Sequence, residues 1–449
     1  MKINNFLEGS ILKSIFKISI PIIFANILQT VYQLIDTFWV GRLGTNAVAA
    51  VSLSFPILFF LTSVAMGFAM AGSILIAQYN GKGDRKNVNL VMGQTLSLVC
   101  IIATILGIIG YFSSGFLLSF LTNEPLVLQP ATSYLQISFL AILAMFIYNI
   151  FQSSLRGVGE VKLPMLVILT TTIINFFIDP LFMFGWKFIP EMGVSGVALA
   201  TLITEYLSAI FGIIILLRGN YNIKLKLKNL KLKLVWVKKL FKLGVPSSLE
   251  NSSRSFGMVL MIFIVSMFGT LTIAAYGIGT RILSFIIIPS IGFSIASSVL
   301  VGNNLGARKK ERAEKIVKTG MGIAFSVLTF MGILLFIFAG KISAFFVPGE
   351  LELIKISSLF IRIMALTFGF IGMQMIILGT LKAAGKTKTS MMLAIFHTIL
   401  LFGLSLLLSK SFNLGELGIW IAYPIVNILA AGIAYYFYKK KSWLEKELV

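Results

Sequence analysis

The chain has 449 residues, of which 57% are hydrophobic and only 12% charged, and its formal net charge is +22. Surface-to-volume scaling leaves a water-soluble globule of this length no way to hide so much apolar surface. Disorder, a coiled coil and a disulfide scaffold are excluded as well, and with Cys100 and His397 the only residues of their types, neither an internal disulfide nor a Cys/His zinc site can form.

The natural solvent for such a chain is a bilayer, and a spanning helix needs about 20 mostly apolar residues. Twelve windows qualify in chain order: 14–39, 47–78, 88–112, 130–154, 163–186, 194–217, 240–267, 272–302, 318–339, 355–379, 390–408 and 417–438. The first is too long for a cleaved signal peptide, contains Asn26 and Gln29, and lacks a small-residue cleavage site. The fold class is therefore an all-α polytopic membrane protein with 12 transmembrane helices.

Position explains the positive charge better than its total does. About 30 of the 38 basic residues fall at the two termini and on the even-to-odd loops, against about five on the odd-to-even loops, which is the positive-inside pattern. The cytoplasmic set includes Lys82, Arg156, the run from Lys224 to Lys242, and Lys382. This places the protein in the cytoplasmic membrane with both termini inside, and makes nucleic acid an unneeded explanation of the charge. Trp39, Trp186 and Trp420 fall at the outer boundaries, where interfacial anchors belong.

The chain also repeats itself. An offset of 225 residues lays Pro21 on Pro246, Asn26 on Asn251, Gly44-Thr45 on Gly269-Thr270 and Gly67-Phe68 on Gly292-Phe293. One residue of slippage later, Leu155-Arg156 meets Leu381-Lys382. Each half is a six-span unit, and because six is even the halves share one orientation, a parallel repeat around a central cavity. The expected division is an N-terminal lobe over 1–220, a basic cytoplasmic linker over 221–240 lying along the lipid surface, and a C-terminal lobe over 241–449.

Function must come from what sits inside the spans. An ionisable residue at mid-bilayer costs about 2.5–3.5 kcal/mol on insertion scales. Four acids accept that cost: Asp36, Asp179, Glu205 and Glu250. Asp36 lies near the outer end of span 1 and Asp179 in the outer half of span 5, at similar depth. Asn175 is one turn before Asp179 on the same helical face. Pro180 breaks the ladder back to Phe176 and frees a carbonyl, and Pro21 kinks span 1 well below Asp36. Two carboxylates, an amide and a freed carbonyl make a hard oxygen site suited to a proton or Na⁺, and two carboxylates held close together titrate as a coupled pair. The competing reading is a set of helix-packing hydrogen bonds.

Glu205 follows Thr201 by one turn near the midplane, facing either a cavity that attracts an organic cation or an internal contact. Glu250 precedes Arg254 by one turn, the favourable orientation for an ion pair that neutralises itself. Arg281 lies deep enough in span 8 to bond carbonyls, Arg362 snorkels outward, and His397 is a packed, hydrogen-bonded histidine.

Six plus six spans, Pro21 with Asp36 in span 1, LRGVGEVKLPM between spans 4 and 5, and Asn175 to Asp179-Pro180 in span 5 resemble the multidrug and toxic compound extrusion (MATE) family, most closely its DinF-like branch. The resemblance implies a non-enzymatic multidrug exporter of cationic amphipathic compounds, working as a monomer by H⁺ or Na⁺ antiport with rocker-type alternating access and without a cofactor. It implies that Asp36, Asp179 and Asn175 form the coupling site, with Thr201 nearby and span 1 bending at Pro21. Gln152 stands where that branch commonly has Asn. Glu250 only roughly matches the acidic position some members have in span 7. The alternatives are a flippase for lipid-linked oligosaccharides from the same superfamily and a polytopic membrane transferase. The first needs a more cationic cavity, the second a polar catalytic cluster.

Overall fold

The computed structural model describes residues 4–122 and 124–445. The expectation that both termini are cytoplasmic therefore concerns, in part, residues outside the described ones. Among the described residues there is no strand, only an isolated bridge between Trp186 and Ile189. The helices are α1 (Asn4–Leu7), α2 (Ile11–Gly41), α3 (Thr45–Gly81), α4 (Arg85–Ser119), α5 (Pro125–Gly157), α6 (Lys162–Phe184), α7 (Val194–Arg218), α8 (Leu234–Ser266), α9 (Thr270–Gly306), α10 (Lys310–Phe346), α11 (Leu351–Ala365), α12 (Phe368–Ala383), α13 (Thr387–Leu406) and α14 (Glu416–Lys439). Hydrocarbon offers backbone groups no partners, so each must be bonded within its own helix.

Ten of these helices are long and apolar enough to cross a membrane, and α11 with α12 makes an eleventh span bent by 51°. The twelfth is α8. Its 33 residues reach about 50 Å, but Lys238, Lys239, Lys242, Glu250 and Arg254 lower its apolar content. Large rings stand outward: Phe112 is 81% exposed and Phe345 82%. Such side chains suit lipid tails, which accounts for much of the phenylalanine excess. Trp420 departs from its expected interfacial place. It is fully buried, its ring 4.3 Å from that of Phe360, because the first turns of α14 pack inside the bundle. Arg281 is exposed and makes no hydrogen bond to a carbonyl among the described residues.

The bend between α11 and α12 falls at Leu366-Thr367. Thr367 Oγ1 donates to Met364 O at 3.1 Å, and Asn427 Nδ2 on α14 donates to Thr367 Oγ1 at 3.2 Å. The same Asn427 meets His397 Nε2 at 3.1 Å, so His397 is indeed hydrogen-bonded in the core. A break in a spanning helix is tolerated where neighbouring polar groups re-satisfy the freed backbone.

Contacts divide the chain into two compact units. One is Phe24–Ser248; the other joins the described residues up to Ile23 to those from Leu249 onward. The two crossing points, Ile23 and Ser248, are equivalent in the repeat, and each lies two residues beyond a helix-interior proline, Pro21 and Pro246. In the first unit α5 packs against α3, α4 and α7; in the second α12 packs against α9, α10 and α14. The repeat reaches backbone detail. α3 and α9 both start after a glycine with positive φ, Gly44 at 100° and Gly269 at 95°, a region costly for any residue with a Cβ.

The basic segment before α8 is fastened to the first unit. Gln94 Nε2 on α4 donates to Asn229 O and Lys231 O, both at 2.7 Å, and Gln94 Oε1 accepts from the Lys233 backbone N–H at 2.7 Å. Asn89 Oδ1 accepts from Lys224 N at 2.7 Å. Ile223 and Leu225 are buried while Lys224, Lys226 and Lys228 are exposed.

Candidate functional site

The first unit carries an acidic cluster in its interior. Asp179 and Asn175 on α6 are wholly buried, and Asn175 Nδ2 donates to Asp179 Oδ1 at 2.9 Å. The one-turn spacing alone sets that contact. Asp36 comes from α2 and accepts from Thr201 Oγ1 on α7 at 3.5 Å. Asp36 and Asp179 lie within electrostatic reach of one another.

Three further residues complete the surroundings. Tyr32, one turn before Asp36, pairs its hydroxyl with Thr204 Oγ1 at 2.7 Å. Tyr134 on α5 lies within electrostatic reach of both aspartates. Glu205 lies within electrostatic reach of Tyr32, Asp36 and Tyr148. Among the described residues no group donates to Asp36 Oδ1, Asp179 Oδ2, Asn175 Oδ1 or Glu205 Oε2, although all four atoms are buried. A buried acceptor without a donor is costly. The protein supplies oxygens here and leaves the positive partner to be supplied. No third acidic, histidine or cysteine side chain joins the aspartates as a metal group among the described residues. The donor set of two carboxylates and an amide suits a proton or a small hard cation rather than a thiophilic metal.

An apolar layer closes one side of this cluster. Val40 lies one turn beyond Asp36, and Met183 one turn beyond Asp179. Both belong to a buried cluster with Ala47, Tyr134, Val194, Val197 and Ala198. The low dielectric beside the carboxylates strengthens every charge interaction they make.

Gln152 stands apart from this group: its Nε2 donates to the Tyr148 hydroxyl at 3.4 Å, and that hydroxyl donates to Pro164 O at 3.2 Å. Pro21 and Pro180 both sit inside continuous helices, α2 and α6. Glu250 belongs to the second unit and is fully buried. Its Oε1 meets Lys382 Nζ at 2.9 Å and an Arg254 guanidinium nitrogen at 3.3 Å, while its Oε2 accepts from Ser390 Oγ at 2.7 Å. The expected pair with Arg254 is present, but Lys382 is the nearer partner.

Sequence reading alone passed over Tyr32, Thr204 and Tyr134. The first two carry a local signal, since Tyr32 is one turn from Asp36 and Thr204 is one turn from Thr201. Tyr134 carries none; only the packing of α5 brings it in. Lys382 was assigned to a cytoplasmic connection, and its long side chain instead reaches a buried carboxylate.

Membrane-length helices in two repeated units, with polar clusters held inside each among the described residues, define a multi-pass membrane protein. The MatE family model matches residues 21–181 and again 246–407, so the chain belongs to the MatE family, and the two matches begin at the two prolines the repeat aligns. Relatives include a probable multidrug resistance protein of Bacillus subtilis, YoeA, 28% identical over 98% of this chain and 96% of its own length. A probable multidrug resistance protein of Thermotoga maritima, NorM, is 27% identical over 97% of this chain and 94% of its own. A protein of Shewanella oneidensis named FAD transporter is 24% identical over 97% and 95%. Among solved structures, one described as MATE in the straight conformation matches with a TM-score of 0.92 and 25% identity, covering 100% of both chains.

Proposed function

We propose that this chain exports small cationic amphipathic organic compounds across the cytoplasmic membrane in exchange for H⁺ or Na⁺, with Asp36, Asp179 and Asn175 as the coupling site. The observation that supports the reading is the set of buried oxygens on α2 and α6 to which no group among the described residues donates. Entry of a proton removes one of the pair's two negative charges and lets the two carboxyls share one hydrogen bond, whereas Na⁺ removes the same charge by binding between their oxygens. A cargo cation competes for the same charge, so the two ligands exclude one another. Asn175 holds one oxygen of Asp179 in place and leaves the other to the incoming ion; Thr201 does the same for Asp36. Glu205, with Thr201 on its own helix, adds negative charge that favours a cationic cargo, and Gln152 acts through Tyr148. Access alternates by rocking of the two lobes, with α2 bending at Pro21 and α6 relaxed at Pro180. The reading takes the protein as a monomer in the bilayer with both chain ends on the cytoplasmic side. The cargo class is a proposal in its own right, because one relative is named for FAD and others for drugs.

The test is dye efflux from proteoliposomes with pH and Na⁺ gradients imposed separately. The wild type should respond to at least one gradient. Asp36→Asn should lose the gradient-driven component while keeping its helix content and elution profile. Full gradient-driven efflux by that variant would overturn the assignment.

A further inference from the structure

The interiors of the two units carry opposite charge. The first holds Asp36, Asp179 and Glu205 against Arg156; the second holds Arg254 and Lys382 against Glu250. The repeat makes the contrast sharper. Lys382 occupies the position of Arg156, while Glu250 and Arg254 occupy those of Ala25 and Gln29. An acid and a base have thus been placed together in one half where the other half has neither.

In the second unit both cations converge on one oxygen of Glu250, and Ser390 takes the other oxygen. The carboxylate is saturated, yet it offsets only one of the two positive charges. Lys382 is 13% exposed at its side chain and is tied to Glu250 at 2.9 Å. Arg254 is 38% exposed at its side chain and spends a single N–H on Glu250 at 3.3 Å. The rest of its guanidinium fork makes no hydrogen bond among the described residues. A planar fork with spare donors, held on a spanning helix by a buried acid, matches the geometry of a carboxylate. The second positive charge, on a side chain 38% exposed, has no carboxylate of its own and gains from an arriving anion. The neighbouring hydroxyls are already engaged: Ser390 donates to Glu250, and Thr398 Oγ1 donates to Ser253 O at 3.4 Å. His397 adds no negative charge.

We propose that Arg254, backed by Lys382, is an anion-reading subsite in the second six-helix unit, which takes the carboxylate of an amphipathic cargo molecule. Glu250 is its positioning residue, orienting Arg254 and Lys382 without meeting the cargo. The inference extends the export reading: cargo need not be purely cationic, and zwitterions that carry a carboxylate are preferred over their esters.

The experiment uses a matched pair of dyes, rhodamine B with a free carboxylate and its ethyl ester without one. Binding to the purified full-length protein is read by fluorescence polarisation, and export is read separately in proteoliposomes. Wild type should bind rhodamine B more tightly than the ester, and Arg254→Gln should lower that preference about tenfold, the worth of one charge-assisted bond. Arg254→Lys keeps the charge and should retain a clear preference, which separates lost recognition from lost folding. Equal binding of the two dyes by wild type, or an unchanged preference in Arg254→Gln, overturns the subsite. A second arm adds phosphatidylglycerol to phosphatidylcholine vesicles. Competitive loss of rhodamine B binding would assign the fork to a lipid headgroup and overturn the cargo assignment. Binding that follows Arg254 without any export of either dye would sustain the subsite and defeat the export reading instead.

Discussion

Glu250→Gln isolates the energetics of a buried charge. The substitution keeps the volume and one acceptor for Ser390 but removes the charge that Lys382 meets at 2.9 Å and Arg254 at 3.3 Å. Arg254, 38% exposed at its side chain, can turn toward water at little cost. Lys382, 13% exposed, cannot, so the loss is carried by one uncompensated ammonium. Removing one partner of a buried pair costs about 3–5 kcal/mol, and the partial exposure of Lys382 favours the lower end. For a unit of roughly 200 residues each kcal/mol moves the midpoint by about 2–4 °C, so about 3 kcal/mol corresponds to roughly 6–12 °C. The assay is thermal unfolding of purified protein in detergent. The double variant Glu250→Gln with Lys382→Met should recover most of the loss, because an apolar replacement of the whole pair leaves no stranded charge. A midpoint within about 1 °C of wild type for the single variant, well under the scatter of typical mutational effects, would refute the reasoning, as would a double variant less stable than the single.

Three other perturbations have expected outcomes. Burial alone pushes the Asp84 carboxyl up, but the backbone N–H and side-chain amide of Asn87, with Lys82 and Lys86 nearby, hold it below the ordinary carboxylate range. Its capping of α4 is therefore fully present above the unfolded value of about 4 and is lost as pH falls through the lower folded value, so hydrogen exchange at the start of α4 should accelerate in acid in wild type and be fast at all pH in Asp84→Ala. In a Cys100→Ala background, Met183→Ala should thin the apolar layer beyond Asp179 and speed labelling of a cysteine placed at Thr201 by a membrane-impermeant thiol reagent; unchanged labelling would mean that the layer is not the barrier. Gln94→Ala removes three hydrogen bonds that clamp the basic segment, and trypsin should then cut near Lys231 and Lys233 several-fold faster, as expected when local opening is made easier.

The spanning helices were legible because bilayer thickness translates directly into window length, and apolar content needs no tertiary information. The aspartates of α2 and α6 were legible for a related reason: charge inside a span is costly enough to demand a purpose. The bend at Thr367 was not. A window average over 355–379 reads one span, whereas the break depends on Asn427, sixty residues away, meeting Thr367. Close packing of α12 on α10 is equally hidden: a Cβ on Gly369 would collide with Thr329 Oγ1. Lys382 shows another limit. Counting basic residues by connection sorts backbone positions, and a lysine stem is long enough to carry its charge elsewhere.

The crossing of α2 and α8 between the units bears on where such a chain can be divided. A cut in the basic segment before α8 yields two fragments that look like halves, yet neither contains a complete unit, since each keeps a helix end that belongs with the other. In each half the leading segment of the first long helix thus groups with the other unit, a reciprocal exchange that the 225-residue repeat carries at equivalent positions.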